Sequence, residues 1–355
     1  MQIVFFLSGL IFLIIGAESL VRGSSRLAAR MGISPLVIGL TVVAFGTSSP
    51  ELAVSIESAL SGQSSIAVGN VVGSNIFNVL FILGISALIV PLVVSRQLIR
   101  VDVPIMVILS IVTLILSQDG SFSRVNGLFM TGGLLVYVWF LIHQSRKEKA
   151  LSRDEFESEF GADKQVKGGW VKNIVMVAGG LALLVVGSRW FVSGAVSFAQ
   201  YMGVSELIIG LTIIAAGTSL PEVVTSVIAA IRGERDIAVG NVVGSNIFNI
   251  MGVLGIAGIV APGGLMVSPA LIAFDIPVMI GVALACLPIF FTGGMISRQE
   301  AILFLAYYVA YTLYIVLAAS QHDTLPVFSS VMLYFVIPLT AAVGVLYFLR
   351  ELKKR

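Results

Sequence analysis

Apolar residues run along this chain in blocks too long and too continuous for a fold that faces water on its surface. A helix rises about 1.5 Å per residue, so about 20 apolar residues cross the hydrocarbon of a bilayer. Eleven stretches qualify: 3–22, 36–60, 65–90, 99–118, 123–143, 171–192, 207–231, 236–261, 270–291, 299–319 and 327–349. The pattern predicts an all-α membrane protein. Polar residues break it in the loops, as expected, but also near the centres of the second, third, seventh and eighth stretches.

Those central interruptions repeat. Ile66 to Asn78, IAVGNVVGSNIFN, recurs unchanged at Ile237 to Asn249. Upstream, Gly46-Thr47-Ser48-Ser49-Pro50-Glu51 is matched by Gly217-Thr218-Ser219-Leu220-Pro221-Glu222 at the same offset of 171 residues. The match starts at Gly32 and Gly203 and runs to Pro91 and Pro262. A repeat this long sets the architecture. Five helices fall in 1–143 and five in 171–319, and a hydrophilic linker, 144–170, joins them. Residues 320–355 hold an unpartnered eleventh helix and a basic tail.

An odd number of helices per half requires the halves to insert in opposite senses, and the charges agree. Arg22, Arg26 and Arg30 follow the first helix, where the second half has Ser193, Ser197 and Tyr201. The uncharged loop Ser61 to Ser65 is matched by Arg232-Gly233-Glu234-Arg235-Asp236. Basic residues gather on the cytoplasmic side of membrane proteins. That places the N-terminus outside, with the linker and the Arg350 to Arg355 tail inside. Two inverted five-helix repeats plus a C-terminal transmembrane helix are therefore expected.

Composition fits: 57% of the 355 residues are hydrophobic, 11% are charged, and mean hydropathy is +1.04. Soluble domains carry roughly 25% charged residues. The run Ile3 to Ile15 lacks the basic start of a signal peptide and has a counterpart at Val175 to Val186, so it reads as the first helix. Cys286, the one cysteine, excludes an internal disulfide and reads as a small buried apolar residue. The linker mixes both charge signs and has no calcium-loop spacing.

The repeated motifs carry the chemistry. Pro50 breaks a membrane helix near its middle and frees carbonyls around Ala44, Phe45 and Gly46. Bare carbonyls at that depth must line a protein or water cavity. Thr47 and Ser48 stand three and four residues before Glu51, on one helix face. Ala215, Thr218, Ser219 and Glu222 repeat the arrangement. Ser74 and Asn78 share a face of the third helix, as Ser245 and Asn249 do of the eighth. Asn75 lies off that face and is expected to contact the backbone of the broken helix. Gly69 and Gly73, with Gly240 and Gly244, allow close helix approach. Inverted repeats bring midplane motifs together. All the converging ligands are oxygens, which suits hard cations such as Ca2+ and Na+. Two ionised glutamates at that depth cost several kcal/mol unless neutralised.

The motifs GTSxPE and GNVVGSNxxN, one of each per half, resemble the alpha repeats of the cation/Ca2+ exchanger superfamily, which includes the sodium/calcium exchangers. The resemblance spans both halves. It implies a ten-helix core with alternating access to one central site, and no cofactor beyond the transported ions. It implies Ca2+ ligation by Glu51 and Glu222. It implies ion-site roles for the Ala44 and Ala215 carbonyls and for Thr47, Ser48, Thr218, Ser219, Ser74, Asn78, Ser245 and Asn249. Relatives often carry aspartate where this chain has Asn78 and Asn249, and the potassium-dependent branch does so at the second position. Asn249 thus implies no potassium co-transport. By the same resemblance, helices one and six slide past the ligand-bearing core, and the eleventh helix is an anchor or oligomer contact.

Other polar residues read more plainly. Asp102 and Asp275, each two residues before a proline, are expected to cap helices four and nine. Glu57 is expected at the outer mouth. Glu18 and Arg189, at matched positions, are expected to snorkel to opposite surfaces. His143 and His322 sit near helix ends. The leading expectation is an antiporter exchanging Ca2+ for Na+ in a cell's plasma or inner membrane. H+/Ca2+ exchange on the same glutamates is the nearest rival. A passive channel does not need the duplicated site, and an intramembrane enzyme lacks a placed Ser–His or Asp pair.

Overall fold

The computed structural model describes residues 2–159 and 169–342. Among them nine helices are long and apolar enough to cross a membrane. The two other expected spans are broken. The first is α2 (Pro35–Thr47) and α3 (Ser49–Leu60), which meet at 46°. Its counterpart is α8 (206–217) followed by α9 (Leu220–Ile231). Unbroken helices flank them: α1 (Gln2–Met31), α4 (Ser64–Ile89), α5 (Leu98–Leu116), α6 (Arg124–Glu159), α7 (Trp170–Tyr201), α10 (Arg235–Val260), α11 (Leu271–Phe291), α12 (Arg298–Ala319) and α13 (Leu325–Ala342). The C-terminal tail and the linker charges from Asp163 to Lys167 lie outside the described residues.

Three boundaries differ from expectation. Arg22, Arg26 and Arg30 are not in a loop but on the last turns of α1. The sixth span likewise continues to Tyr201. Helix α6 runs past residue 143 as far as Glu159, so the start of the linker is helical. Hydropathy marks where a helix leaves the hydrocarbon; it does not mark where the helix ends.

Equivalent helices α1 and α7 lie against each other and run antiparallel. Glycines recur every seven residues on both, at Gly9, Gly16 and Gly23 and at Gly180, Gly187 and Gly194. A seven-residue period keeps one face toward a partner along the whole helix. The backbones touch there. A Cβ on Gly16 would sit 2.8 Å from the Gly180 carbonyl oxygen, and one on Gly187 would sit 2.8 Å from the Leu13 nitrogen. Close packing of small residues is a main source of helix association where lipid and side chain are equally apolar. The antiparallel pairing of matched helices is what two inverted halves require.

Two short antiparallel ribbons tie the halves at the loops. Leu92–Val93 pairs with Met295–Ile296, and Ser121–Phe122 pairs with Leu265–Met266. Each ribbon joins a first-half loop to a second-half loop. The core lies mainly on α4 and α10, and α10 has 89% of its apolar window buried. By contrast the described part of α13 is 0% buried and meets α12, where Tyr307 donates to the Val336 carbonyl at 3.5 Å.

Glu18 does not reach a surface alone. It pairs with Arg22 one turn along α1 and with Arg232 at the end of α9, at 2.7 Å. Ser25 of α1 donates to Glu234 at 2.8 Å nearby. The aspartates are not helix caps either. Asp102 accepts from Tyr137 Oη at 2.8 Å and from Gln97 at 3.3 Å, and Asp275 accepts from Tyr311 Oη at 2.8 Å. Helical residues before each aspartate already continue the chain as a π-turn, so no free helix start remains to cap.

The glycine seam generates a sharp comparison between neighbours. Gly180 would place a Cβ 2.7 Å from Leu20 N, while Gly179 faces open space. Gly180→Val should cost about 1–3 kcal/mol by overpacking and lower the thermal midpoint of the detergent-solubilised protein. Gly179→Val should leave the midpoint unchanged or raise it. Equal midpoints for the two variants would refute the seam.

Candidate functional site

The broken spans explain themselves locally. Ser48 and Ser219 leave helical geometry, with φ −80° and ψ 8°, and φ −89° and ψ 9°. The prolines that follow them sit in the first turn of α3 and α9, where their missing N–H costs nothing. The carbonyl each proline leaves without its helical donor is that of Gly46 or Gly217. Ser49 supplies a hydroxyl to Gly46 at 2.8 Å. The second repeat has Leu220 in that place, and Ser188 of α7 donates to Gly217 instead, at 2.7 Å. The Ala44 carbonyl is not bare as expected; it accepts from the Ser48 amide at 3.0 Å and from the Thr47 hydroxyl at 3.4 Å. Glu51 and Glu222 then open α3 and α9, in the first turn, where a negative charge suits the helix dipole.

Both carboxylates are fully buried, and each is held by the other repeat. Ser219 donates to Glu51 Oε1 at 2.7 Å, and Ser48 donates to Glu222 Oε1 at 2.8 Å. Ser219 Oγ also lies 3.3 Å from Ser74 Oγ. Glu51 Oε2 and Glu222 Oε2 have no protein donor, nor do Asn78 Oδ1, Asn249 Oδ1, Thr218 Oγ1 and Ser245 Oγ. All six are buried oxygens. Buried polar atoms are nearly always partnered, so six free ones in one motif set call for a ligand. No group of three or more His, Cys, Asp or Glu occurs among the described residues, so the donor set is two carboxylates surrounded by neutral oxygens.

Asn75 departs from expectation. Its side chain reaches across to α10 rather than to the broken helix, donating to the Asn246 carbonyl at 3.2 Å. The broken helices are held instead by two asparagines of the motif that sequence reasoning passed over. Asn70 donates to the Glu51 carbonyl at 3.1 Å and to Ser55 at 2.9 Å. Asn241 donates to Ser226 at 3.0 Å and accepts from Thr47 at 3.0 Å. Ser55 and Ser226 stand at matched positions four residues after each glutamate, a spacing that was readable beforehand. At Asn78 and Asn249 the helices widen into π-turns over Asn78–Leu83 and Asn249–Leu254. Such turns gather at functional sites.

The two halves differ in one respect. Leu36, Leu40 and Ala44 of α2 press on α10, where a Cβ on Gly244 would lie 2.6 Å from Leu40 Cα. At the mirrored place Gly69 and Gly73 of α4 face open space, as does Gly210 of α8. Accordingly Val43 and Ala44 are 0% exposed, whereas Ile214 is 52% exposed and Ala215 is exposed. The α2 face is packed against α10, and the matching face of α8 is exposed.

Residues 1–143 and 172–317 match the family described as sodium/calcium exchanger protein. The putative antiporter CaxA of Alkalimonas amylolytica is 38% identical over 87% of this chain and 96% of its own. The sodium/calcium exchanger MaX1 of Methanosarcina acetivorans is 35% identical over 86% of this chain and 95% of its own. Among solved structures, the sodium-calcium exchanger NCX_Mj, soaked with Na+ and Sr2+, superposes with a TM-score of 0.73 at 30% identity. That match covers 90% of this chain and 97% of the other.

The bonding pattern separates two asparagines of equal motif rank. Asn241 is 0% exposed and bonds across the halves, while Asn70 is half-buried and bonds only within its own. Asn241→Leu should take the donor from the Ser226 hydroxyl and the bond across the halves from Thr47, which keeps only the Val43 and Ala44 carbonyls, and cost about 1–3 kcal/mol. Asn70→Leu should cost about half as much. Thermal midpoints of the two purified variants decide it, and a reversed order would refute the bonding scheme.

Proposed function

We propose that this chain, which belongs to the sodium/calcium exchanger protein family, moves Ca2+ out of the cytoplasm in exchange for Na+ at the site built on Glu51 and Glu222. Cation/Ca2+ exchange is the business of the family, and the protein is an integral membrane transporter, not an enzyme. The observation that carries the site assignment is the set of six buried oxygens without a donor, two of them carboxylate oxygens. Two carboxylates balance one Ca2+ or two monovalent cations. Hydroxyl and amide oxygens complete a shell that either ion accepts, so the ions compete for one place. A charge-compensated cluster crosses the membrane interior more cheaply than an empty, doubly charged one. That difference couples the two fluxes.

The exposed flank of α8 supports an open state on one side of the membrane. With the N-terminus outside, α8 enters from the outer face, so the open side is the outer one. The opposite state follows from the repeat. Gly69 and Gly73 would then close on α8 near Ala215, as Gly240 and Gly244 now close on Leu36, Leu40 and Ala44. Helices α1 and α7 are the natural moving pair, since their seam joins them to each other.

Glu51→Gln and Glu222→Gln should each abolish Ca2+ uptake by everted vesicles while the protein still inserts. Uptake driven by an imposed Na+ gradient at fixed pH is the expected wild-type result. Uptake driven by a pH gradient without Na+, and none with Na+, would replace Na+ by H+ as the coupling ion. Near-normal uptake in either glutamine variant would overturn the site.

Alternation has its own test. A Cβ on Gly244 would lie 2.6 Å from Leu40 Cα in the present state, whereas Gly73 faces open space. Gly244→Val should therefore lower the thermal midpoint of this state, and Gly73→Val should leave it unchanged. Both should stop exchange, because Gly73→Val blocks closure in the opposite state. Full exchange by Gly73→Val would refute the alternation.

A further inference from the structure

Four asparagines, two from each copy of the motif, form a closed set of crossed bonds at the centre of the molecule. Asn75 Nδ2 donates to the Asn246 carbonyl at 3.2 Å, and Asn246 Nδ2 donates to the Asn75 carbonyl at 3.3 Å. A backbone carbonyl only accepts, so each amide must turn its nitrogen toward it. The side-chain oxygens of Asn75 and Asn246 are thereby aimed the other way. Asn249 Nδ2 donates to Asn75 Oδ1 at 3.1 Å, and Asn78 Nδ2 donates to Asn246 Oδ1 at 2.9 Å. With their nitrogens fixed, Asn78 and Asn249 turn their oxygens into the cluster, where Asn78 Oδ1 and Asn249 Oδ1 are buried with no donor.

An asparagine amide is nearly symmetric in shape and opposite in charge at its two ends. Flipped by 180°, it would point two N–H donors at a cation. Aspartate has no such wrong orientation, because both ends are oxygen. A site that uses asparagine in place of aspartate therefore needs a device that fixes the amide. We propose that Asn75 and Asn246 are positioning residues that act in trans: Asn75 of the first repeat orients Asn249 of the second, and Asn246 of the second orients Asn78 of the first. The proposal rests on the reading of Asn78 and Asn249 as cation ligands.

The crossing makes it testable by double substitution in proteoliposomes carrying the full chain. Ca2+ KM is read with maximal rate and thermal midpoint alongside. Asn75→Leu should raise KM about tenfold, the value of one buried hydrogen bond, with a smaller change in maximal rate. In an Asn249→Asp background the same Asn75→Leu change should alter KM by less than about twofold, because a carboxylate needs no orienting. In an Asn78→Asp background it should still cost the full tenfold. Asn246→Leu should show the mirrored pattern, relieved by Asn78→Asp and not by Asn249→Asp. Loss of midpoint without this crossed dependence, or equal KM costs in every background, would overturn the proposal and leave only packing. Glu51→Gln and Glu222→Gln keep the two readings apart. If they spare transport, the ion site itself fails; if they abolish it while the crossed dependence is missing, only the positioning role fails.

Discussion

A carboxylate buried in apolar surroundings is tolerable only when its oxygens are met by donors or cations. In this molecule one oxygen of each glutamate is met by a serine from the opposite repeat, and the other is left free. Neither half can satisfy its own glutamate, so neither half is a stable unit at its centre. The breaks at Ser48 and Ser219 exist where those serines must leave the helix to reach across. The prolines follow because a helix restarted at that point has no use for the missing N–H.

Around this exchange the motif residues divide the labour by chemistry. Serine hydroxyls bond the carboxylates, while amides bond backbone, other hydroxyls and one another. Asn70 and Asn241 fasten each restarted helix to its neighbouring motif helix. Glycines set how near the backbones come, and they do so in two distinct ways. On α1 and α7 both partners carry them, and the contact runs the length of the pair. On α4 and α10 the same glycines are packed in one copy and open in the other. Identical sequence thus sits in two environments within a single chain.

Much of this was legible in the residues. The blocks of apolar sequence, the offset of 171 and the switch of basic residues gave the helices, the repeat and its inversion. The oxygen-only ligand set followed from the residue types. What stayed hidden depended on geometry beyond periodicity. The helical continuation through Arg22, Arg26 and Arg30 needed a partner helix outside the hydrocarbon. The π-turns at Asn78 and Asn249 have no signature in composition. Asn75 was misdirected because its angular offset on α4 is plain, while its target across the axis is not. Asp102 and Asp275 matched a capping pattern that a preceding helical turn had already used up, leaving them to Tyr137 and Tyr311.

The unchanged Ile66 to Asn78 and Ile237 to Asn249 segments have one more consequence. Because the copies are expected to enter from opposite sides, the proposed site would present the same residues in the same sequence to a cation from either face. Such a site contains no ratchet. Reversing the electrochemical gradients should reverse the flux through an unaltered site, so the sense of transport is imposed from outside the protein.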